Sequence, residues 1–169
     1  LNFLKTNAIL ENIKVINSNS EDALNFFNSD VFLKNIYFEN TQSYAIDMDF
    51  GSLNFSEIIC LKIKSDCLDF SGTKAKGEKV SVEKSYDNGL NVSEDSEIYI
   101  RNLTMKNSRL AIAIKDGSKA YLENLKSINN DYDVALFSKK NKYKKSELEI
   151  KNFNKNNKKI LQSKNSLLK

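Results

Sequence analysis

An apolar–variable–apolar triplet recurs along this chain at a nearly constant interval. Leu24-Asn25-Phe26 returns as Ile46-Asp47-Met48, Leu68-Asp69-Phe70, Leu90-Asn91-Val92 and Ile112-Ala113-Ile114, each 22 residues after the last. Leu1-Asn2-Phe3 stands 23 residues upstream of the first of these. Ala135-Leu136-Phe137 follows the last by 23, with a weaker echo at Ile160-Leu161-Gln162. Alternation with period two is the mark of a short strand with one buried face. A small residue precedes the triplet each time, as Ala23, Ala45, Cys67, Gly89 and Ala111. This predicts a tight bend pressed against the neighbouring repeat.

Each repeat carries a second apolar stretch: AILENIKV (8–15), VFLKNIYF (31–38), LNFSEIIC (53–60), EKVSVEK (78–84), EIYIRNLTM (97–105), KAYLENLKS (119–127) and ELEIKNFN (147–154). Asn12, Asn35, Asn102, Asn124 and Asn152 hold one station in it, with Glu57 and Lys79 in the middle repeats. Asn tolerates left-handed backbone and can hydrogen-bond to a copy of itself. These residues are therefore expected to be structural, stacked at a turn between two short strands.

A period near 22 fits two solenoids. LENIKVIN and LKNIYFEN match the first half of a leucine-rich repeat, through Leu10, Ile13, Val15 and Leu33, Ile36, Phe38. The second half fails: NSNSEDA and NTQSYA lack its closing Asn-x-Leu, and a further strand follows where a helical stripe should be. The fold predicted is all-β, a right-handed parallel β-helix of about seven coils over residues 1–154. Residues 155–169 are expected to form a basic C-terminal cap or tail. Inner columns of Leu1, Leu24, Ile46, Leu68, Leu90, Ile112 and of Phe3, Phe26, Met48, Phe70, Val92, Ile114, Phe137 would build the core, at about 4.8 Å per coil.

The residues between those columns must then point outward. One row reads Asn2, Asn25, Asp47, Asp69, Asn91, Ala113; the row two places on reads Leu4, Phe27, Asp49, Ser71, Ser93, Lys115, Ser138. Asp66 and Asn88 share a station just before the strand. Asp47, Asp49, Asp66 and Asp69 thus converge on two adjacent coils, where they repel unless a cation or lysine compensates. Such a cluster suits Ca²⁺, a hard cation that takes several oxygens. Lys115 beside the carboxylates suits proton abstraction, the chemistry of a uronate lyase or epimerase. Asp69, Ser71, Asn88, Asn91, Ser93, Glu94, Asp116, Lys139 and Lys140 are the candidate ligand-binding residues on this face. The plain alternative is a solvated strand face, since outward positions of any soluble rod are polar.

Composition narrows the chemistry further. The chain has 169 residues, of which 40 % are hydrophobic, too many for a disordered chain. Histidine is absent, which removes the commonest general base and transition-metal ligand. The net charge of +4 conceals an asymmetry: residues 139–169 hold eleven Lys and two acids, while 1–138 hold fifteen basic and twenty acidic residues. A basic tail can meet nucleic acid or an anionic polymer, but KKNKYKK is one short stretch on an acidic body. Cys60 and Cys67 are too few for a disulfide framework or a zinc site and are expected to be small buried hydrophobes. No apolar run is long enough for a transmembrane helix. No signal peptide, phosphate loop or nucleophile elbow is present, and the repeat already running at Leu1 suggests a fragment of a longer protein. Asn54, Asn91 and Asn102 begin glycosylation-acceptor triplets of the kind chance supplies in an Asn-rich chain.

SDCLDFSG (65–72), DNGLNVSEDSEIYIRNLTMKNSRLAIAIKDGSKAYLENL (87–125) and ALFSKKNKY (135–143) resemble right-handed β-helix domains of bacterial surface and envelope proteins. Some of those lie C-terminal to domains like the spore-coat CotH kinases. The resemblance spans roughly residues 60–150 and implies a shared groove at Asp69–Gly72, Gly89–Glu94, Lys115–Ser118 and Lys139–Lys140. Gly117 departs from it, standing where a bulkier apolar residue is usual. The wider fold includes pectate-lyase-like enzymes, by fold analogy alone. Three functions follow as expectations: an extracytoplasmic β-helix binding a polysaccharide or surface partner, a Ca²⁺-assisted lyase or epimerase of acidic glycans, or a structural rod or spike segment.

Overall fold

The computed structural model describes residues 1–140, 142–155, 160–163 and 166–169. They wind into a parallel β-solenoid of about seven turns without helix. The first face stacks β1 (Asn2–Leu4), the start of β4 (Asp22–Lys34), the start of β6 (Tyr44–Ile63), the start of β7 (Leu68–Ser85), β8 (Asn88–Ser93), β10 (Leu110–Lys115), β12 (Tyr132–Phe137) and β14 (Ile160–Gln162). The second face stacks β2 (Asn7–Glu11) on β4, β6, β7, β9 (Glu97–Lys106), β11 (Lys119–Ile128), β13 (Glu147–Lys155) and β15 (Leu167–Leu168). A third face begins with β3 (Lys14–Ile16) and β5 (Ile36–Thr41) and continues in the later parts of β6, β7, β9 and β11.

Apolar columns hold the turns together. On the first face Leu24, Ile46, Leu68, Leu90, Ile112 and Val134 are in register and fully buried. Phe26, Met48, Phe70, Val92, Ile114 and Leu136 form the second column. Each such side chain removed from water contributes about 1.5–3 kcal/mol. Leu1 stands one turn before Leu24 and is 69 % exposed. Phe3 stacks on Phe26 with ring centroids 4.9 Å apart.

Phe137 departs from expectation. β12 pairs with β10 through Ile112↔Val134 and Ile114↔Leu136, a step of 22 rather than 23. Leu136 therefore takes the inner column, and Phe137 turns outward as the register partner of Lys115, the place expected for Ser138. The larger ring lies against the outward cluster of Leu110, Ala113 and Ala135, so the outer side of this face is apolar at its C-terminal end.

The asparagine station divides into two kinds. Asn35 Nδ2 donates to Asn12 Oδ1 at 3.0 Å, and both have left-handed backbone, φ 53° and 56°. Asn124 donates to Asn102 at 3.0 Å and Asn152 to Asn124 at 2.9 Å, but these three lie inside β9, β11 and β13, with no left-handed φ. Between the two groups Lys79 and Glu57 are register partners joined by a 2.6 Å ion pair. Core volume is balanced between turns as well. Gly77 is the register partner of Phe55, and a Cβ at Gly77 would stand 1.9 Å from the Phe55 ring.

Residues 160–163 and 166–169 continue the solenoid: Ile160 pairs with Val134, and Leu168 with Leu148. The rest of the expected tail, 156–159 and 164–165, lies outside the described residues.

Candidate functional site

Period-two alternation turns Asp47, Asp69 and Asn91 to the outside of the first face, and parallel register stacks them on successive turns. Asp49, Ser71 and Ser93 form the next row, two residues on. A third row precedes the strand, where Asp22 pairs with Tyr44, and Asp66 and Asn88 follow at 22-residue steps. Three polar rows thus lie side by side at about 4.8 Å per turn.

Outward does not mean exposed here. Asp66 is 2 %, Asn91 4 %, Ser93 6 % and Asn88 7 % exposed. Hydrogen bonds between turns draw these side chains onto the sheet. Asp66 Oδ1 accepts from the backbone N–H of Asn88 at 2.8 Å and from its Nδ2 at 2.9 Å. Asn91 Nδ2 donates to Asp66 Oδ2 at 3.1 Å and to Asp69 Oδ1 at 3.0 Å. Ser71 and Ser93 hydroxyls lie 2.9 Å apart. Asp47, Asp49, Asp69 and Ser71 remain half-buried, so the floor opens to solvent there.

The corner leading into this site is covalently fixed. Cys60, at the inner side of the third face, is bonded to Cys67, just before β7, with Cα atoms 6.0 Å apart. The expectation of two free hydrophobic thiols is corrected. Both side chains are buried as foreseen, but the corner from 61 to 66 turns them toward one another. The bond closes a short loop, 60–67, that contains Asp66.

Electrostatically the site is dominated by carboxylates, with Lys115 the cation that acts on Asp69. Two unit charges about 5 Å apart repel by about 3 kcal/mol at an effective dielectric constant of 20. Burial, then Asp49, Asp22, Asp66 and Glu21, push Asp47 up to about 7. Burial, then Asp66 and Asp47, push Asp69 up to about 7 against the opposing effects of Lys115 and the Asn91 hydrogen bond. Asp66 is pushed up to about 6, chiefly by burial and against its bond from Asn88. Asp49 is raised by burial and by Glu94, against a hydrogen bond from Ser71. Lys115 is lowered by burial and by Lys139, with Asp69 and Asp66 opposing. Among the described residues no ion pair joins it to any of these aspartates.

The aspartates do not fit a calcium site. Among the described residues no group of three or more acidic or cysteine side chains is gathered closely enough to hold a metal ion. Both carboxylate oxygens of Asp66 are engaged by Asn88 and Asn91. Two oxygens nearby have no partner: Asn91 Oδ1 and Asp22 Oδ1 are both buried and accept nothing.

The remaining sequence candidates fall into a second group. Asp116 is 2 % exposed, and its Oδ1 accepts from the backbone N–H groups of Lys139 (2.7 Å) and Lys140 (2.9 Å). Lys140 Nζ donates to Glu94, whose other oxygen accepts from the Tyr143 hydroxyl at 3.1 Å. Together Glu94, Asp116 and Lys140 hold the loop after β12 against the solenoid, and Lys139 lies over the Phe137 ring. Gly117 belongs to the same device. Its φ is +80°, and a Cβ there would lie 2.2 Å from Asp95 Oδ1. That closeness and backbone conformation account for glycine where a larger residue was expected.

Tyr44 is a site residue the sequence did not single out. Against the pull of a hydrogen bond with Ser65, burial and the carboxylates of Asp66, Asp69 and Asp47 hold its phenol above the ordinary value. Its position 22 residues before Asp66 was the available signal. A depression of about 790 Å³ lies elsewhere, outside β9, β11 and β13, lined by Asn102, Asn124 and Asn152. Those carboxamides bond to one another and present little free polar capacity.

Among the described residues no helix is long and apolar enough to cross a membrane. No family model matches the chain, no curated protein matches it, and no solved structure matches it.

Proposed function

We propose that this chain is a saccharide-binding β-solenoid whose ligand lies on the polar rows of the first face, across Asp47, Asp49, Asp69, Ser71 and the Tyr44 ring. The observation that carries this reading is the set of stacked, half-buried acceptor rows of Asp47, Asp69, Asp49 and Ser71 with the single ring of Tyr44 near them. Vicinal sugar hydroxyls are donors at a few ångströms' spacing, and a sugar ring packs its C–H face on an aromatic side chain. Inter-turn hydrogen bonds hold Asp69 through Asn91 and Ser71 through Ser93, so these two side chains lose little conformational entropy on binding. The Cys60–Cys67 bond supports an extracytoplasmic setting, since such bonds persist in oxidising compartments.

Electrostatics weigh against the lyase alternative. A polyuronate would add carboxylates to rows of aspartate that already repel one another, with no fitted metal group between them. The lowered Lys115 amine is the one feature favouring it. Titration calorimetry with hexasaccharides of glucosamine, N-acetylglucosamine, mannose and galacturonate tests the reading. Saturable binding of at least one, weakened about tenfold or more by Asp69→Ala, is expected. Binding of none makes the chain a structural rod. New ultraviolet absorbance from galacturonate, lost in Lys115→Ala, makes it a lyase.

A further inference from the structure

The corner between the third and first faces repeats one backbone conformation. Asn17, Asn40, Lys62, Lys84, Asn107 and Asn129 share a station there, each left-handed with φ between 53° and 67°. Asparagine suits that conformation, and Asn40 Nδ2 donates to Asn17 Oδ1 at 3.1 Å. Lysine is disfavoured in it. On two adjacent turns the chain thus gives up the favoured residue and sets two ammonium groups one strand spacing apart.

Tyr86 gathers these charges. Lys84 Nζ lies 5.4 Å from the centre of its ring, and Lys64 Nζ, from the preceding turn, 4.5 Å. A hydrogen bond with Lys84, then the charges of Lys64, Lys84 and Lys62, hold the phenol below its ordinary value against desolvation. Among the described residues no carboxylate pairs with Lys62, Lys64 or Lys84, whereas Lys34, Lys79 and Lys140 each meet a glutamate. Beside the three amines a depression of about 210 Å³ is lined by Asn40, Gln42, Lys62, Lys64 and Tyr86.

We propose that this corner binds a tetrahedral oxyanion, a sulfate or phosphate group, held by the ammonium groups of Lys62, Lys64 and Lys84 and by the Tyr86 hydroxyl. The site is separate from the aspartate rows and does not depend on the saccharide reading. Each lysine presents a compact point charge with three donors, whereas a carboxylate is best met by the planar fork of arginine. Arg109, one turn on from Tyr86, is already bonded to Asp87. Amines from two adjacent turns meet an anion from different sides, which suits oxygens pointing in several directions. A bound anion also relieves the repulsion among the amines.

Titration calorimetry at neutral pH and low salt tests this with inorganic phosphate, fully O-sulfated maltohexaose, unsulfated maltohexaose and galacturonate hexasaccharide. Saturable binding of phosphate or of the sulfated oligomer, weakened about tenfold or more by Lys62→Asn/Lys84→Asn, is expected. Whichever of the two binds more tightly distinguishes a free anion from an ester on a saccharide. The variant extends the asparagine station, so a melting temperature no lower than wild type shows that it is folded. Lys74→Ala/Lys76→Ala removes equal charge from exposed positions of β7 on the second face and should change the affinity less than about twofold. Equal weakening by the two double variants overturns the inference, because overall charge would account for binding. Galacturonate bound as tightly as the sulfated oligomer overturns it, because any anion would serve. Unsulfated maltohexaose bound as tightly overturns it and leaves the saccharide reading standing. Binding of neither phosphate nor the sulfated oligomer overturns it as well.

Discussion

Asp47 and Asp69 are register partners on consecutive turns, two carboxyls one strand spacing apart and each pushed up to about 7. A polar row on a soluble rod could have alternated charge; this one sets like against like. Burial first, and neighbouring carboxylates second, make the molecule less stable with these groups ionised than with them neutral.

The pH dependence follows from that sign. An aspartate ionises near 3.8 in the unfolded chain and near 7 here, so between those values the folded state binds more protons. Below about pH 4 the Asp69 carboxyl contributes nothing; its destabilising effect grows as pH rises and is complete above about pH 7. Asp69→Asn is expected to raise unfolding free energy by about 2 kcal/mol at pH 8 and to change it little at pH 4. Urea unfolding at both values checks this. An equal effect at the two pH values contradicts it.

Asp66 is pushed up in the same direction, to about 6, but its oxygens are partners to three donors of Asn88 and Asn91. Asp66→Ala leaves the backbone N–H and Nδ2 of Asn88 buried without that acceptor, while Asn91 Nδ2 keeps Asp69. A loss of about 2–4 kcal/mol is expected in the same assay. A loss under about 0.5 kcal/mol, the size of an ordinary surface substitution, would show that water replaces the carboxylate freely.

Reduction of Cys60–Cys67 should lower stability by about 2 kcal/mol, as the bond closes only a short loop. The measurement is melting temperature with and without a phosphine reductant, after thiol alkylation in denaturant confirms that the oxidised chain has no reactive thiol. Alkylation of both cysteines before reduction would remove the bond from the account.

Gly77 and Phe55 should behave as one unit. Gly77→Ala drives a methyl into the Phe55 ring and should cost about 1–3 kcal/mol. Adding Phe55→Leu, itself destabilising, should recover part of that loss, with a coupling energy above about 0.5 kcal/mol in a double-mutant cycle. Strict additivity would mean that the two turns pack differently.

The solenoid was legible in the sequence because its inner positions repeat every 22 residues with period-two alternation. Leu24, Ile46 and Leu68 fall into one column by counting alone. Counting failed where two frames were equally apolar: Val134-Ala135-Leu136 and Ala135-Leu136-Phe137 both match the triplet, and strand pairing with β10 chose the first. The aspartate rows were also legible, since outward positions alternate with inward ones. Their burial was not, because it arises from bonds between turns, such as Asn91 to Asp69, that no single repeat contains. Nor was the division of labour between Asp66, held by asparagines, and Asp116, held by the backbone of Lys139 and Lys140. The cysteine pair escaped because sequence separation does not reveal that a corner turns two inward side chains toward each other.

Mapping the bound oligosaccharide tests the central claim most directly. Amide chemical shifts of ¹⁵N-labelled protein, followed as glucosamine hexasaccharide is added, are expected to move at Asp47, Asp49, Asp69, Ser71 and Asn91 on the first face. Shifts confined instead to Asn102, Asn124 and Asn152 on the opposite depression, or no shift at saturating oligosaccharide, would contradict a binding site on the aspartate rows.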